Sequence, residues 1–332
     1  MKSLATLACT ILAATMAFAE AIDRYDPLEV EDTKIESKTF DMNYPKADRV
    51  LPVRIYLPKS ESPAPVILFS HGLGGSRDNN PNLGNHWAAR GYVVVFVQHP
   101  GSDERVWKEV PLGQRMNALG KAASTENFTR RGEDIPVVID YLTKWNVDKD
   151  HPLHGRLDLK HIGMSGHSFG ANTTQAIAGQ KLTGGRFSFR EPRISAAVMM
   201  SPNIPVRGDP AEAFATITIP CLLMTGTLDD SPISNTKAAD RKKVFSNLTA
   251  APAWQVVFDK ATHMSFGDRD LKGESENGNR YHKPILALTT AFWDAELKGE
   301  SAAKAWLKGP GAKSALTSED QWEMNQLANK SD

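Results

Sequence analysis

The pentapeptide Gly166-His167-Ser168-Phe169-Gly170 constrains this chain more than any other stretch. It follows the apolar-leaning run His161 to Ser165 and precedes the small-residue run Ala171 to Gly179. A strand, a sharp turn and a helix in immediate succession leave no room for a Cβ where strand and helix cross, which accounts for both glycines. At such a turn the serine is expected in a strained backbone conformation, its hydroxyl lifted above the end of the sheet. An ordinary glycine-rich connection carries the same pattern, so the rest of the chain has to discriminate.

The flanking sequence alternates strand-like and helix-like text. Lys34 to Leu57 reads as two antiparallel strands joined by a polar turn at Asp41 to Asp48, with Val53, Ile55 and Leu57 alternating. Pro65 to Ser70 and Tyr92 to Val97 are continuous apolar runs, the pattern of strands buried on both faces. Further strands are expected at Ala196 to Met200, Cys221 to Thr225 and Gln255 to Phe258. Helical spacing appears at Leu83 to Arg90 and from about Phe128, where Ile135, Val138, Ile139 and Leu142 share a face. It returns at Lys237 to Phe245 and at Pro284 to Leu297. The alternation predicts a single α/β domain over 20–332, a mostly parallel doubly wound sheet with helices on both faces. Asp103 to Glu126 has no decisive pattern. The tail from about residue 299 is expected to hold one docked helix and a frayed end.

A serine hydroxyl is a poor nucleophile until a base takes its proton and a third group orients that base. In doubly wound hydrolytic folds the acid and then the histidine follow the serine, each at the carboxyl end of a strand. Here Gly226-Thr227-Leu228-Asp229-Asp230 follows the strand at Cys221, and Asp259-Lys260-Ala261-Thr262-His263 follows the strand at Gln255. The gaps between Ser168, Asp229 and His263 accommodate the intervening helices and strands but no large cap domain. The Gly-x-x-Asp spacing favours Asp229 over Asp230 as the acid, leaving Asp230 a surface or loop-capping role.

Other histidines compete less well. His167 adjoins Ser168 inside the turn and points elsewhere, while His71 and His99 are read as hydrogen-bonding their loops. His151 and His154, near Asp148 and Asp150, only superficially resemble a metal site. An oxyanion needs preorganised donors, expected from the Phe169 N–H at a helix start and the Leu73 N–H in the glycine-rich loop Gly72 to Gly75. That loop lacks the G-x-x-x-x-G-K-[ST] pattern of a nucleotide cradle.

Residues 1–19 read as a secretory signal peptide: Lys2, an apolar stretch from Leu4 to Met16, and Ala17-Phe18-Ala19 as the cleavage site. The stretch is too short for a membrane anchor, so a secreted or periplasmic protein without stable membrane insertion is expected. The 39 basic and 39 acidic side chains balance, which gives no sign of a nucleic-acid or anionic-membrane partner. Of the two cysteines, Cys9 falls in the segment expected to be removed, and Cys221 in an apolar run is expected to be a buried small hydrophobe.

At Phe69-Ser70-His71-Gly72-Leu73-Gly74-Gly75-Ser76, Gly166 to Gly170 and Thr262-His263-Met264-Ser265-Phe266, the chain resembles α/β-hydrolases. It is similar above all to platelet-activating-factor acetylhydrolase-like esterases and the neighbouring predicted dienelactone hydrolase group, from about Val53 to Phe292. Dienelactone hydrolases carry a cysteine nucleophile where this chain has Ser168. The resemblance implies a Ser-Asp-His carboxylic-ester hydrolase with no cofactor and no metal, acting on a small-molecule or lipid-like ester. It places Ser168, Asp229 and His263 in the catalytic triad and Leu73 and Phe169 in the oxyanion hole. Arg130, Arg131 and Asp134 are expected to serve as structural ion pairs or caps. Short acyl chains are expected, because no extended apolar lid is visible between Ser201 and Thr218. A cutinase-like polyester hydrolase, an acyltransferase or peptidase on the same triad, and a non-catalytic binding module are the competing readings.

Overall fold

In the computed structural model, which describes residues 25–30, 34–182, 187–267 and 280–330, the apolar runs become neighbours in one 9-stranded sheet. The expected signal peptide lies outside the described residues. In chain order the strands are β1 (Glu36–Tyr44), β2 (Arg49–Leu57), β3 (Ala64–Ser70), β4 (Val93–Val97) and β5 (Leu157–His167). They continue with β6 (Ile194–Met200), β7 (Cys221–Leu228), β8 (Ala253–Thr262) and β9 (Gln321–Met324). Their spatial order is β1-β2-β4-β3-β5-β6-β7-β8-β9. Pairing is parallel from β4 through β8 and antiparallel where β1, β2 and β9 complete the two edges.

Both faces are covered, and the period of two along each strand sorts side chains between them. Val94 and Phe96 of β4, with Ile67 and Phe69 of β3, pack under Trp87 of helix α1 (Pro81–Ala89) and its neighbours Trp293 and Leu288. Val93, Val95, Val97, Val66 and Leu68 face the opposite way, against Ile135, Val138, Ile139 and Leu142. These last four form the apolar stripe predicted for the long helix between β4 and β5. That helix starts slightly earlier than expected, at Thr125, because the Ser124 hydroxyl accepts the Asn127 N–H at 3.1 Å and caps it.

The segment 103–126 contains two short helices, α2 (Arg105–Lys108) and α3 (Arg115–Ala122), before α4 (Thr125–Val147). Neither short helix has a clear buried face: Met116 of α3 is largely exposed, and Val106, Trp107 and Leu119 are only half-buried, which is why periodicity could not assign them. After β5 come α5 (Phe169–Ala178), α6 (Pro210–Phe214), α7 (Ala238–Asn247) and α8 (His282–Glu296). The single short α6 lies between β6 and β7, with no large cap. The tail differs from expectation. Helices α9 (Ser301–Lys308), α10 (Pro310–Ser314) and α11 (Gln326–Lys330) accompany β9, which pairs Trp254 with Met324 and Val257 with Gln321. Such a short edge strand is selected by its partner rather than by local alternation, so nothing in its own text announces it.

The chain leaves β3 toward β4 on one side and β5 toward β6 on the other. The carboxyl ends of β3 and β5 therefore flank the point where the winding reverses, where open α/β sheets form their crevice. Helix α5 is pressed onto that point. A Cβ on Gly170 would overlap the Ser70 carbonyl oxygen, and one on Gly166 would overlap the backbone of Gly170. Because the obstacle is backbone, Gly170→Ala is expected to cost about 3 kcal/mol or more in urea unfolding, or to prevent folding. Gly120→Ala, in open space on α3, should leave stability unchanged or raise it by up to about 1 kcal/mol.

Candidate active site

Ser168 sits between β5 and α5 with φ 58° and ψ −115°, a conformation that a non-glycine residue adopts only when its surroundings impose it. Two constraints do so here: the glycines that let α5 close onto β3, and the Ser168 N–H, which donates to Met200 O at 2.9 Å. His263 opens a tight turn directly after β8, where Thr262 and Ser265 cap each other. Asp229 follows β7 and is fully buried.

The three side chains meet. His263 Nε2 lies 2.8 Å from Ser168 Oγ, and His263 Nδ1 lies 2.7 Å from Asp229 Oδ1. A carboxylate only accepts, so Nδ1 carries the proton and donates it to Asp229, leaving the Nε2 lone pair to accept from the serine hydroxyl. Burial pushes the Asp229 carboxyl up. The His263 hydrogen bond and the Arg241 charge more than offset this and hold it below the usual carboxylate range. The Thr225 hydroxyl donates to its second oxygen at 2.9 Å. Asp230 is different in kind: half-exposed, it accepts from Lys237 Nζ at 2.8 Å and from the Ala238 N–H at 3.0 Å, at the start of α7.

Arg241, on α7, was not picked out by any motif. Its buried guanidinium reaches Asp229 Oδ1 at 3.1 Å and donates to Asp229 O at 2.8 Å. It also donates to Ser201 O, Pro202 O and Asn203 Oδ1 at 2.8, 3.1 and 2.7 Å. Asn203 in turn donates to Asn172 Oδ1 on α5, and its N–H to Gln175 Oε1. One cation thus joins the loops after β6 and β7 to the helix that follows the serine. The only sequence hint was an arginine in a helix of low apolar content.

The oxyanion candidates lie on the two sides of Ser168. Phe169 is the first residue of α5, and the loop carrying Leu73 passes beside the serine: a Cβ on Gly72 would lie 3.6 Å from Ser168 Cβ. Among the described residues, neither the Leu73 nor the Phe169 N–H donates to another protein group. Gly74 and Gly75, by contrast, donate to Ser102 O and Gly72 O.

The remaining histidines have other partners. His167 Nε2–H donates to His263 O at 3.0 Å, and burial followed by the neighbouring His263 pushes its pKa down to about 3, so it stays neutral. His151 stacks on Trp145 at 4.5 Å, and among the described residues no three His, Cys, Asp or Glu side chains converge as metal ligands. Cys221 is buried, and burial raises its thiol pKa. No helix of the described residues is long and apolar enough to cross a membrane.

His99 does more than brace a loop. Its Nε2 is 2.8 Å from Ser70 Oγ and its Nδ1 2.8 Å from Asp134 Oδ2, the same connectivity as the Ser168 set. Ser70, His99 and Asp134 are at most 1 % exposed, so no substrate reaches this hydroxyl. Asp134 is further paired with Arg49 at 2.6 Å. The sequence reading treated Asp134 as a structural charge and did not connect it to Ser70.

Comparison with known proteins adds a family setting. The model of a family described as "Platelet-activating factor acetylhydrolase, isoform II" matches residues 54–106, which take in the end of β2, β3, the Leu73 loop and β4. The chain is 26 % identical over 134 residues to a platelet-activating factor acetylhydrolase of Cavia porcellus, covering 33 % of this chain and 30 % of that protein. It is 21 % identical over 212 residues to Cutinase est1 of Thermobifida alba, covering 64 % of this chain and 57 % of that protein. The chain therefore matches under a third of one relative and somewhat over half of the other. With its sheet order and its serine turn, the chain is an α/β-hydrolase in fold and resembles the serine esterases of that family.

Proposed function

We propose that this protein hydrolyses carboxylic esters through an acyl-enzyme, with Ser168 as nucleophile. The observation that carries this is the His263 imidazole bridging Ser168 Oγ and Asp229 Oδ1 at 2.8 and 2.7 Å. His263 takes the serine proton as Oγ attacks the ester carbonyl, and Asp229 stabilises the imidazolium that forms. The unengaged N–H groups of Leu73 and Phe169 stabilise the negative charge on the carbonyl oxygen. His263 then protonates the departing alcohol, activates water and returns the proton to Ser168 as the acid leaves. The similarity to an acetylhydrolase and the short α6 between β6 and β7 support short acyl chains. Residues 1–19 support export to the periplasm or medium, and an intact mass beginning near Glu20 for the exported protein would bear this out. The cutinase match, the longer of the two, favours a polymer ester as second reading; release of acid from polyester film would separate it.

A fluorophosphonate probe should label the wild type and Ser70→Ala but not Ser168→Ala; labelling of Ser168→Ala equal to wild type removes Ser168 as the nucleophile. On p-nitrophenyl esters of increasing length, kcat/KM should fall beyond short acyl groups. In the same assay Asp229→Asn should lower kcat by about 10³–10⁴-fold, while Asp230→Asn stays within about twofold. The reverse order would reassign the acid.

A further inference from the structure

We propose that Arg131 is a positioning residue for the oxyanion hole, holding the Leu73 and Phe169 N–H groups at a fixed separation from within the core. The inference rests on the esterase reading above and extends it to a residue that touches no reacting atom.

The Leu73 donor is aimed through its own peptide plane. In a trans peptide the N–H of residue 73 and the carbonyl of residue 72 point in opposite directions, so whatever fixes Gly72 O fixes the Leu73 N–H. Gly72 O accepts from the Gly75 N–H at 3.0 Å and from His71 Nδ1 at 2.6 Å. The second bond requires the His71 proton on Nδ1. The His99 N–H, donating to His71 Nε2 at 3.1 Å, demands the same tautomer. Burial and then the adjacent Arg131 charge hold His71 well below its ordinary pKa, which keeps that form.

Arg131 ties this assembly to the other side of the hole. Its Nη1 donates to His71 O at 2.7 Å, and its Nε donates to Ser102 Oγ at 2.8 Å. The backbone carbonyl of Ser102 accepts the Gly74 N–H at 2.9 Å, so the loop is gripped before and after Leu73. The guanidinium carbon lies 4.5 Å from the centre of the Phe169 ring, and Phe169 supplies the second donor. The buried Ser70-His99-Asp134 set completes the cradle: the Ser70 hydroxyl donates to His99 Nε2 and accepts weakly from Arg131 at 3.4 Å. Asp134, three residues along α4, supplies negative charge for a cation that is fully buried. A fully buried arginine is costly unless each donor is used. Here Nε and Nη1 are used, on Ser102 Oγ, His71 O and Ser70 Oγ around the loop that carries Leu73, while Nη2 lies 3.2 Å from His71 Nδ1, which carries its own proton.

The test counts active sites with the fluorophosphonate, so that rates are per labelled Ser168, and compares Arg131→Met, Arg131→Lys and Ser102→Ala with wild type. Ser102→Ala removes one partner of Arg131 and keeps the backbone carbonyl, so it carries the test if the Arg131 variants do not fold. Expected for Arg131→Met is a fall in kcat of about 10²-fold with KM within about threefold, and an equal loss of affinity for a trifluoromethyl ketone that mimics the tetrahedral adduct. Arg131→Lys and Ser102→Ala should lose about three- to tenfold in both quantities together. A merely structural arginine would lower Tm and yield but leave kcat per titrated site and analogue affinity unchanged. That result in Ser102→Ala or in a folded Arg131 variant overturns the inference alone. Labelling of Ser168→Ala overturns the esterase reading, and the inference with it.

Discussion

The contact on which the molecule depends is between two backbones: helix α5 lies against the end of β3 so closely that Gly170 meets the Ser70 carbonyl oxygen. No side chain fits there, and the absence of one sets the distance between the serine turn and the glycine-rich loop. With that distance set, the glycine-rich loop passes beside Ser168 at the start of α5. The strain at φ 58° is sustained by the surrounding packing. Trp87, Trp293 and the valines of β4 make the sheet rigid on both faces, so the strained turn has little freedom to relax.

Two Ser-His-Asp sets of identical connectivity stand near the carboxyl ends of β3 and β5, and access separates them. Ser70 and its partners are sealed inside, while Ser168 is half-buried at the rim with two unengaged donors beside it. Connectivity alone therefore does not make a nucleophile; room for a carbonyl and donors for its oxygen are also required. Each set has a buried arginine close by, Arg131 for the inner and Arg241 for the outer. Buried ion pairs are weak evidence for stability, because desolvation cancels much of the attraction. Their geometric effect is plainer: Arg241 gathers carbonyls from the loops after β6 and β7, and Arg131 joins the His71 carbonyl after β3 to the Ser102 hydroxyl after β4.

The parallel sheet was legible because continuous apolar runs such as Tyr92 to Val97 admit almost no other environment. The long helix α4 was legible from the spacing of Ile135, Val138, Ile139 and Leu142. Helices α2 and α3 were not, since they are short and their apolar residues range from exposed Met116 through half-buried Val106, Trp107 and Leu119 to buried Ala122, which leaves no clear periodic trace. Strand β9 was missed because its fold state is decided by pairing with β8, far away in sequence. Arg241 was missed for a related reason, since a charged residue in a helix reads as solvated until its neighbours are known, and Arg131 was read only as a structural ion pair or cap because its partners come from other segments.

The amino-acid order by itself determined where sharp turns must fall and which residue types stand at three strand ends. Glycines without room for a Cβ and apolar runs with only one compatible setting are local constraints that act wherever the chain goes. The spacing favoured Asp229 over Asp230, but tertiary structure decided that Asp229 is the one that meets the imidazole, because that depends on the direction each faces after β7. It also decided that Ser168 is only half-buried while Ser70 is sealed, since exposure depends on what other segments cover and no residue carries that information in itself.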